Sequence, residues 1–300
     1  MSERVEWFQW FVSGTGYQCL STTRAAGSAG QRGSTECVAE RLPTKRRAYE
    51  PLVEHTGLFR TFAALPDDKD AIVAFADRYG LLVGGNEMMF VPLPRGDRGA
   101  RSTVVIGGNL GSVPAERLET WRSEIAEMRE LLDLWCAAKA ADLKKLSQAL
   151  TWHGDDTVVY HHAGGRQEVV WRKKREPLPL SEGELIKPAQ FYLAKRLTQR
   201  LEGDKEHPAL AFPALIWDLD KNAPVLVLSP KNLLGALWLQ FAQAVSGNKV
   251  FRECDECSTW FEVSKAAFRI NRMYCSGACK AKAYRRRREE PKPARKPRKK

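Results

Sequence analysis

Of the seven cysteines in the chain, four stand in two close pairs, Cys254-Asp-Glu-Cys257 and Cys275-Ser-Gly-Ala-Cys279, with residues 258–274 between them. Two such pairs across a loop of this length bring four thiolates around one tetrahedral zinc ion. Four thiolates fill the coordination sphere, leaving no position for an activated water. The expected role is therefore structural, with one Zn2+ per chain on Cys254, Cys257, Cys275 and Cys279. The metal would fold a segment too small to stand on its own apolar core. The alternative is free or disulfide-bonded cysteines in an oxidising compartment. The start of the chain, Met1 to Phe11, mixes charges with aromatics and lacks the order of a secretory signal. A cytoplasmic location is expected.

The second chemistry is cationic. Directly after Cys279 the chain reads Lys280-Ala-Lys-Ala-Tyr-Arg-Arg-Arg-Arg288. Residues 280–300 hold twelve Lys/Arg against two Glu, a net +10 of the chain's +12, so residues 1–279 carry only +2. A near-neutral body with a polycationic end is the footprint of a nucleic-acid binder. Lys280, Lys282, Arg285, Arg286, Arg287 and Arg288 are the candidate contacts, and Lys280, Lys282 and Arg285 are those expected to reach base edges in a groove. The bases from Lys292 to Lys300 would add sequence-independent grip. DNA is favoured over RNA. A membrane surface is not expected, because the arginine helix has no broad apolar face. The alternative is a zinc-stabilised protein-interaction module presenting Trp260 and Phe261, with the arginines a solvated helix end.

Both chemistries need elements to hold them. Lys249–Glu253 and Thr259–Val263 read as short strands, which would put Cys254 and Cys257 at a hairpin tip. Ser276 is an N-cap candidate for a helix that would carry Cys279 in its first turn and the bases beyond. That is a treble-clef-like plan, with Phe251, Trp260, Phe261, Phe268 and Tyr274 as its small core. Upstream, Asp67–Gly80 has acids in its first turn, an apolar face of Ile72, Phe75, Ala76 and Tyr79, and a terminal glycine, which predicts a short amphipathic helix. A long helix is expected from Pro114 to about Leu150, broken near Ala140. Its seam of Leu118, Trp121, Ile125, Met128, Leu132 and Trp135 suits a core helix, or alternatively a coiled-coil dimer. Thr157–Tyr160 with Gln167–Trp171, and Ala214–Asp218 with Pro224–Leu228, read as hairpins. Glu184–Leu201 and Leu233–Val245 read as helices, the second fully buried. Gly247 ends it two residues before the cysteine module, leaving no flexible linker.

Other features carry less. His161 and His162 are adjacent in a strand pattern, so at most one could face a given site. Gly107–Gly111 lacks the Lys-Ser/Thr end of a phosphate loop. No paired carboxylates, nucleophile motif or open metal site appears, so an enzyme is not expected.

The cysteine module also resembles a family. A Cys-x2-Cys followed by an aromatic, a basic linker (Arg269, Arg272), an aromatic before Cys275-Ser276 and a trailing Lys/Tyr/Arg helix resemble the CGNR-type zinc finger. In its tetrad, here Cys279-Lys280-Ala281-Lys282, only the metal ligand matches. Gly57-Leu-Phe-Arg-Thr-Phe-Ala, the helix after it and Gly80-Leu-Leu are similar to the start of the ABATE-like domain that precedes this finger in bacterial proteins. Those proteins are regarded as stress-induced transcription regulators. The resemblance implies DNA binding and transcription regulation in a bacterial cytoplasm.

The expected fold class is α+β, a mainly helical body with short β-hairpins plus a C-terminal treble-clef-like finger. Residues 1–48, rich in Gly, Ser, Thr and Arg, read as disordered or as the product of a mis-assigned translation start. Residues 49–247 form the body, for sensing or for homodimerisation; 248–288 form the zinc finger with its basic helix; and 289–300 form a disordered basic tail.

Overall fold

The computed structural model describes residues 8–23, 34–42, 45–85, 87–92, 102–105, 108–173, 179–205, 207–218, 221–263 and 271–289. Phe268, Arg269 and the tail from 290 onward lie outside these residues, as does the side chain of Arg288. The fold mixes helices and sheets, and four cysteines cluster near its C-terminal end.

The first correction concerns the N-terminal segment. Its described residues are strands: β1 (Trp10–Ser13), β2 (Tyr17–Thr23), β3 (Ser34–Glu40) and β4 (Arg46–Tyr49). β1 pairs with β4, and β2 with β3, both antiparallel. Composition misleads here because β-branched and small residues suit a strand once a partner is present, and the partners are distant in sequence. β3 lies against β7 (Gly108–Arg117), with Cys37 opposite Arg117 and Ala39 opposite Ala115. Val38 and Ala39 are both 0 % exposed, each on its own face of the sheet. Val38 joins the main core, while Ala39 packs with Cys37, Val113 and Ala115. β5 (Glu87–Pro92) and β6 (Ser102–Val105) also pair with β7, completing a five-stranded antiparallel sheet. The body is therefore more than helices and hairpins.

After β4 come α1 (Pro51–Glu54), α2 (Leu58–Ala63) and α3 (Lys69–Tyr79). The expected features of α3 are present: Asp68 accepts from the Ala71 amide, and Ile72, Phe75, Ala76 and Tyr79 are buried. Gly80 ends it at φ 92°, where a Cβ would lie 2.5 Å from the Phe11 carbonyl oxygen, so no other residue fits without distortion. The long helix starts later than expected. Pro114 belongs to β7, opposite Met88, and α4 runs Leu118–Lys139. The break near Ala140 is present: Ala141 takes a left-handed φ of 51°, and α5 (Leu143–Ala149) follows. Leu118, Trp121, Ile125, Met128 and Trp135 are buried within the chain itself, so this seam is core and does not form a coiled coil.

β8 (Leu150–His153), β9 (Thr157–His161) and β10 (Gln167–Arg172) form a three-stranded sheet in the order β10-β9-β8. α6 (Ile186–Glu202) packs on α4 and α7. The hairpin of β11 (Ala211–Asp218) and β12 (Ala223–Pro230) leads into α7 (Leu233–Ser246), capped by Asn232, whose side chain accepts from the Gly235 amide. Trp121, Trp238, Tyr192, Phe62 and Phe241 fill the space between these helices. Two polar groups lock it. Arg200, 3 % exposed, pairs with Glu124 and stacks over Trp238 at 5.0 Å. Gln240 donates to the carbonyls of Pro51 and His55 at 2.8 and 2.9 Å and accepts from the Phe59 amide. Gln240 is tolerated there because its hydrogen-bonding capacity is used, and Arg200 because its charge is paired, although its Nε has no hydrogen-bond partner among the described residues.

His55, between the rings of Tyr49 and Tyr79, is held below the usual imidazole range by burial, with the Arg78 charge adding to it. The unfolded chain then binds the extra proton first, so stability is full above about pH 6.5 and falls as pH drops through that value. Denaturant midpoints measured from pH 7.5 to 5 should decline, and His55→Phe should flatten that decline; an identical slope in the variant would contradict the assignment.

Candidate metal centre

The cysteine module is built on β13 (Phe251–Glu253) and β14 (Trp260–Glu262), an antiparallel pair with Phe251 opposite Glu262 and Glu253 opposite Trp260. At its tip the Cys254 amide donates to the Thr259 carbonyl and the Ser258 amide to that of Cys254, turning Cys254 inward to 1 % exposure. The second pair sits where expected. Ser276 caps α8 (Gly277–Glu289), accepting from the Cys279 amide at 3.2 Å.

The four Sγ atoms of Cys254, Cys257, Cys275 and Cys279 lie within 4.8 Å of one another. Cys275 is 3.5 Å from both Cys257 and Cys279. Zinc–sulfur bonds of about 2.3 Å in a tetrahedron require sulfur separations near 3.8 Å, so the cluster fits one metal ion with little movement. The Cys275 amide donates to Cys254 Sγ at 3.3 Å, a contact that helps to spread thiolate charge. Burial opposes ionisation of Cys257, but hydrogen bonds from Thr259 and its neighbouring thiols outweigh it and bring it to about 6. Burial pushes Cys275 up, and the neighbouring thiols add to that. Phe261 and Val263 pack under the cluster beside Tyr274, and the Arg272 guanidinium lies 5.1 Å from the Phe261 ring. Of the expected small core, Phe261 and Tyr274 are in place.

Phe251 and Trp260 instead face the body. The Arg60 guanidinium of α2 lies 5.2 Å from the rings of Trp135 and Phe251 and 5.0 Å from Trp260. Backbone contacts reinforce the seat. The Trp260 amide donates to Thr61 Oγ1 and the Glu262 amide to Thr56 Oγ1. Lys139, at the end of α4, donates to the carbonyls of Asn248 and Lys249 at 3.1 and 2.8 Å. Gly57 passes so close to β14 that a Cβ there would overlap the Trp260 carbonyl. Trp260, partly buried, thus helps to dock the module on the body.

The basic residues of α8 fall into two groups. Ala283 points inward. Glu256, between the first two cysteines, has its side chain only 2 % exposed and pairs with Lys282 at 3.4 Å and Arg286 at 3.0 Å. Arg287 donates to the Tyr274 hydroxyl at 3.0 Å. Lys280, Tyr284 and Arg285 are exposed, Tyr284 at 62 %. Lys282, one turn before Arg285 on the helix, keeps its side chain 73 % exposed while paired with Glu256. Neither Glu256 nor Tyr284 was singled out by spacing, although an acid within the metal-binding tetrapeptide and an aromatic within a basic run were available signals.

Comparison of the chain with protein-family models, curated proteins and solved structures gives no match. The site's own chemistry carries the argument.

Two variants separate metal from docking. Metal analysis should find one zinc per chain, reduced to a small fraction of that by Cys254→Ser. Gly57→Ala should keep the zinc yet destabilise the protein by about 1–3 kcal/mol through overpacking against a rigid carbonyl. Unfolding midpoints equal to wild type would refute the docked arrangement.

Proposed function

We propose that the protein is a zinc-finger nucleic-acid-binding protein of the cytoplasm, a bacterial DNA-binding transcription regulator of the CGNR and ABATE-like kind. In this reading Cys254, Cys257, Cys275 and Cys279 hold a structural zinc ion in a treble-clef-like finger, and α8 is the element that meets the duplex. The observation that carries it is the arrangement of α8. One row of bases is latched to Glu256, which fixes the helix on the metal-binding knuckle. Lys280, Tyr284 and Arg285 stand outside that latch and are exposed.

The latch serves binding in two ways. It lowers the conformational freedom that a groove-bound helix would otherwise lose on association. It also consumes the charge of one buried acid, so that the acid does not repel phosphates from these exposed residues. Lys280 and Arg285 are the residues this reading assigns to phosphates and base edges, and Tyr284 offers a flat apolar surface beside them. Trp260 is partly buried, with the Arg60 guanidinium 5.0 Å from its ring, which weakens the competing idea of a protein-interaction finger centred on that ring.

The test is duplex binding by the zinc-loaded protein across a salt series. The logarithm of affinity should fall linearly with the logarithm of salt, by about 0.9 for each phosphate neutralised. Lys280→Gln with Arg285→Gln should lower that slope by about 2 while zinc content stays at one per chain. Absence of salt-dependent binding in the zinc-loaded wild type would overturn the proposal.

A further inference from the structure

Helix α4 carries a second face that the core covers only in part: Leu134 and Ala137 are buried, while Ala126 and Asp133 are exposed. Ala126, Glu130, Asp133 and Ala137 recur at spacings of 4, 3 and 4, so they form a stripe along one side of the helix. The break after Lys139 folds α5 back beside this stripe, and β9 closes the far side. Between them lies a cleft of about 640 Å³, lined by that stripe together with Gln148, Tyr160 and neighbouring groups. Its size falls within the range of small-molecule sites. Alanine side chains on facing elements leave the space that larger residues would fill.

The polar groups of the cleft are preorganised. The Glu130 carboxylate lies 2.9 Å from His162 Nδ1 and beside the Tyr160 hydroxyl, while its buried Oε1 has no hydrogen-bond partner among the described residues. His162 is backed in turn by Glu168 at 3.5 Å and by the Tyr192 hydroxyl at 3.3 Å. Tyr160 stacks on Tyr192 with ring centroids 4.4 Å apart, and His162 meets its edge at 5.0 Å. This aromatic and imidazole wall fixes the Glu130 carboxylate in place, and Asp133 follows one turn along the same face. The positive groups nearby are otherwise occupied or peripheral. Arg129 donates to the carbonyls of Ala63 and Leu65, and Lys145 stands exposed at the rim. Among the described residues, only the four cysteines bring three or more possible metal ligands together, so the acids of the cleft do not converge on an ion.

We propose that this cleft binds a small organic cation, a protonated primary amine carried on an aromatic or other apolar body. The ammonium would lie between Glu130 and Asp133, where charge-assisted hydrogen bonds are strongest. The apolar part would lie against Leu134, the alanines and the Tyr160 ring. Such a site stands apart from the cysteine module and does not depend on nucleic-acid binding.

Phenethylamine, 2-phenylethanol and phenylacetate share one ring and differ in charge, so calorimetric titration of each into the full-length, zinc-loaded protein tests the idea. Phenethylamine should bind saturably at one site. The alcohol should bind at least about tenfold more weakly, the difference expected for a hydrogen bond to a charged partner, and the acid should not bind. Asp133→Asn, at an exposed position, should weaken amine binding by about tenfold or more. Ala126→Phe, also at an exposed position, should abolish it by filling the cleft, and both variants should keep wild-type zinc content and unfolding midpoint. Failure of the amine to bind, equal binding of the alcohol or the acid, or unchanged amine affinity in both variants would overturn the proposal.

Discussion

The cationic side chain of Arg60, flanked by Trp135, Phe251 and Trp260, is the contact on which the relation between body and cysteine module rests. A guanidinium against partly buried rings gains about 0.5–2 kcal/mol from cation–π attraction, and its flat, weakly hydrated shape suits stacking as an ammonium would not. The rings come from α4, β13 and β14, so one side chain joins the body's longest helix to both strands of the knuckle. Everything placed on the module inherits its orientation from this junction.

Charge is managed by enclosure at three levels of the fold. Arg200 sits with Glu124 between α4, α6 and α7, close to the Trp238 ring. Gln240 performs the same service without charge, tying α7 to the short helices that seat the module. On the module, Glu256 is buried and answered by Lys282 and Arg286. A buried acid without such partners would be strongly destabilising. The pairing holds a helix rich in arginine against the cysteine cluster while its basic side chains stay exposed.

Local sequence carried what local physics decides. The caps and apolar face of α3, the seam of α4 and its break near Ala140 follow from spacing and from residues such as Asp68 and Gly80. The two cysteine pairs and Ser276 are equally local, and the structure brings all four sulfurs together. What escaped notice depends on partners far along the chain. β3 is a strand because β7 lies beside it, and a Ser- and Gly-rich composition alone speaks for disorder. Pro114 looks like a helix start until β5 is placed opposite it. Trp260 and Lys282 sit where sequence put them, but their facing is set by Arg60 and Glu256. No periodic pattern records those contacts.

The close passage of Gly57 beneath β14, with Thr56 and Thr61 accepting its amides, bears on how this protein could be recombined. Zinc modules are often treated as portable parts, joined to new hosts through a short tether. Here the module's underside is complementary to one particular glycine-bearing turn and one arginine. A chimera that carries residues 248–289 alone would expose Phe251 and Trp260, whereas a transplant that includes the surfaces of α2 and the end of α4 would keep them covered. The unit of inheritance is thus the joint together with the cysteine module.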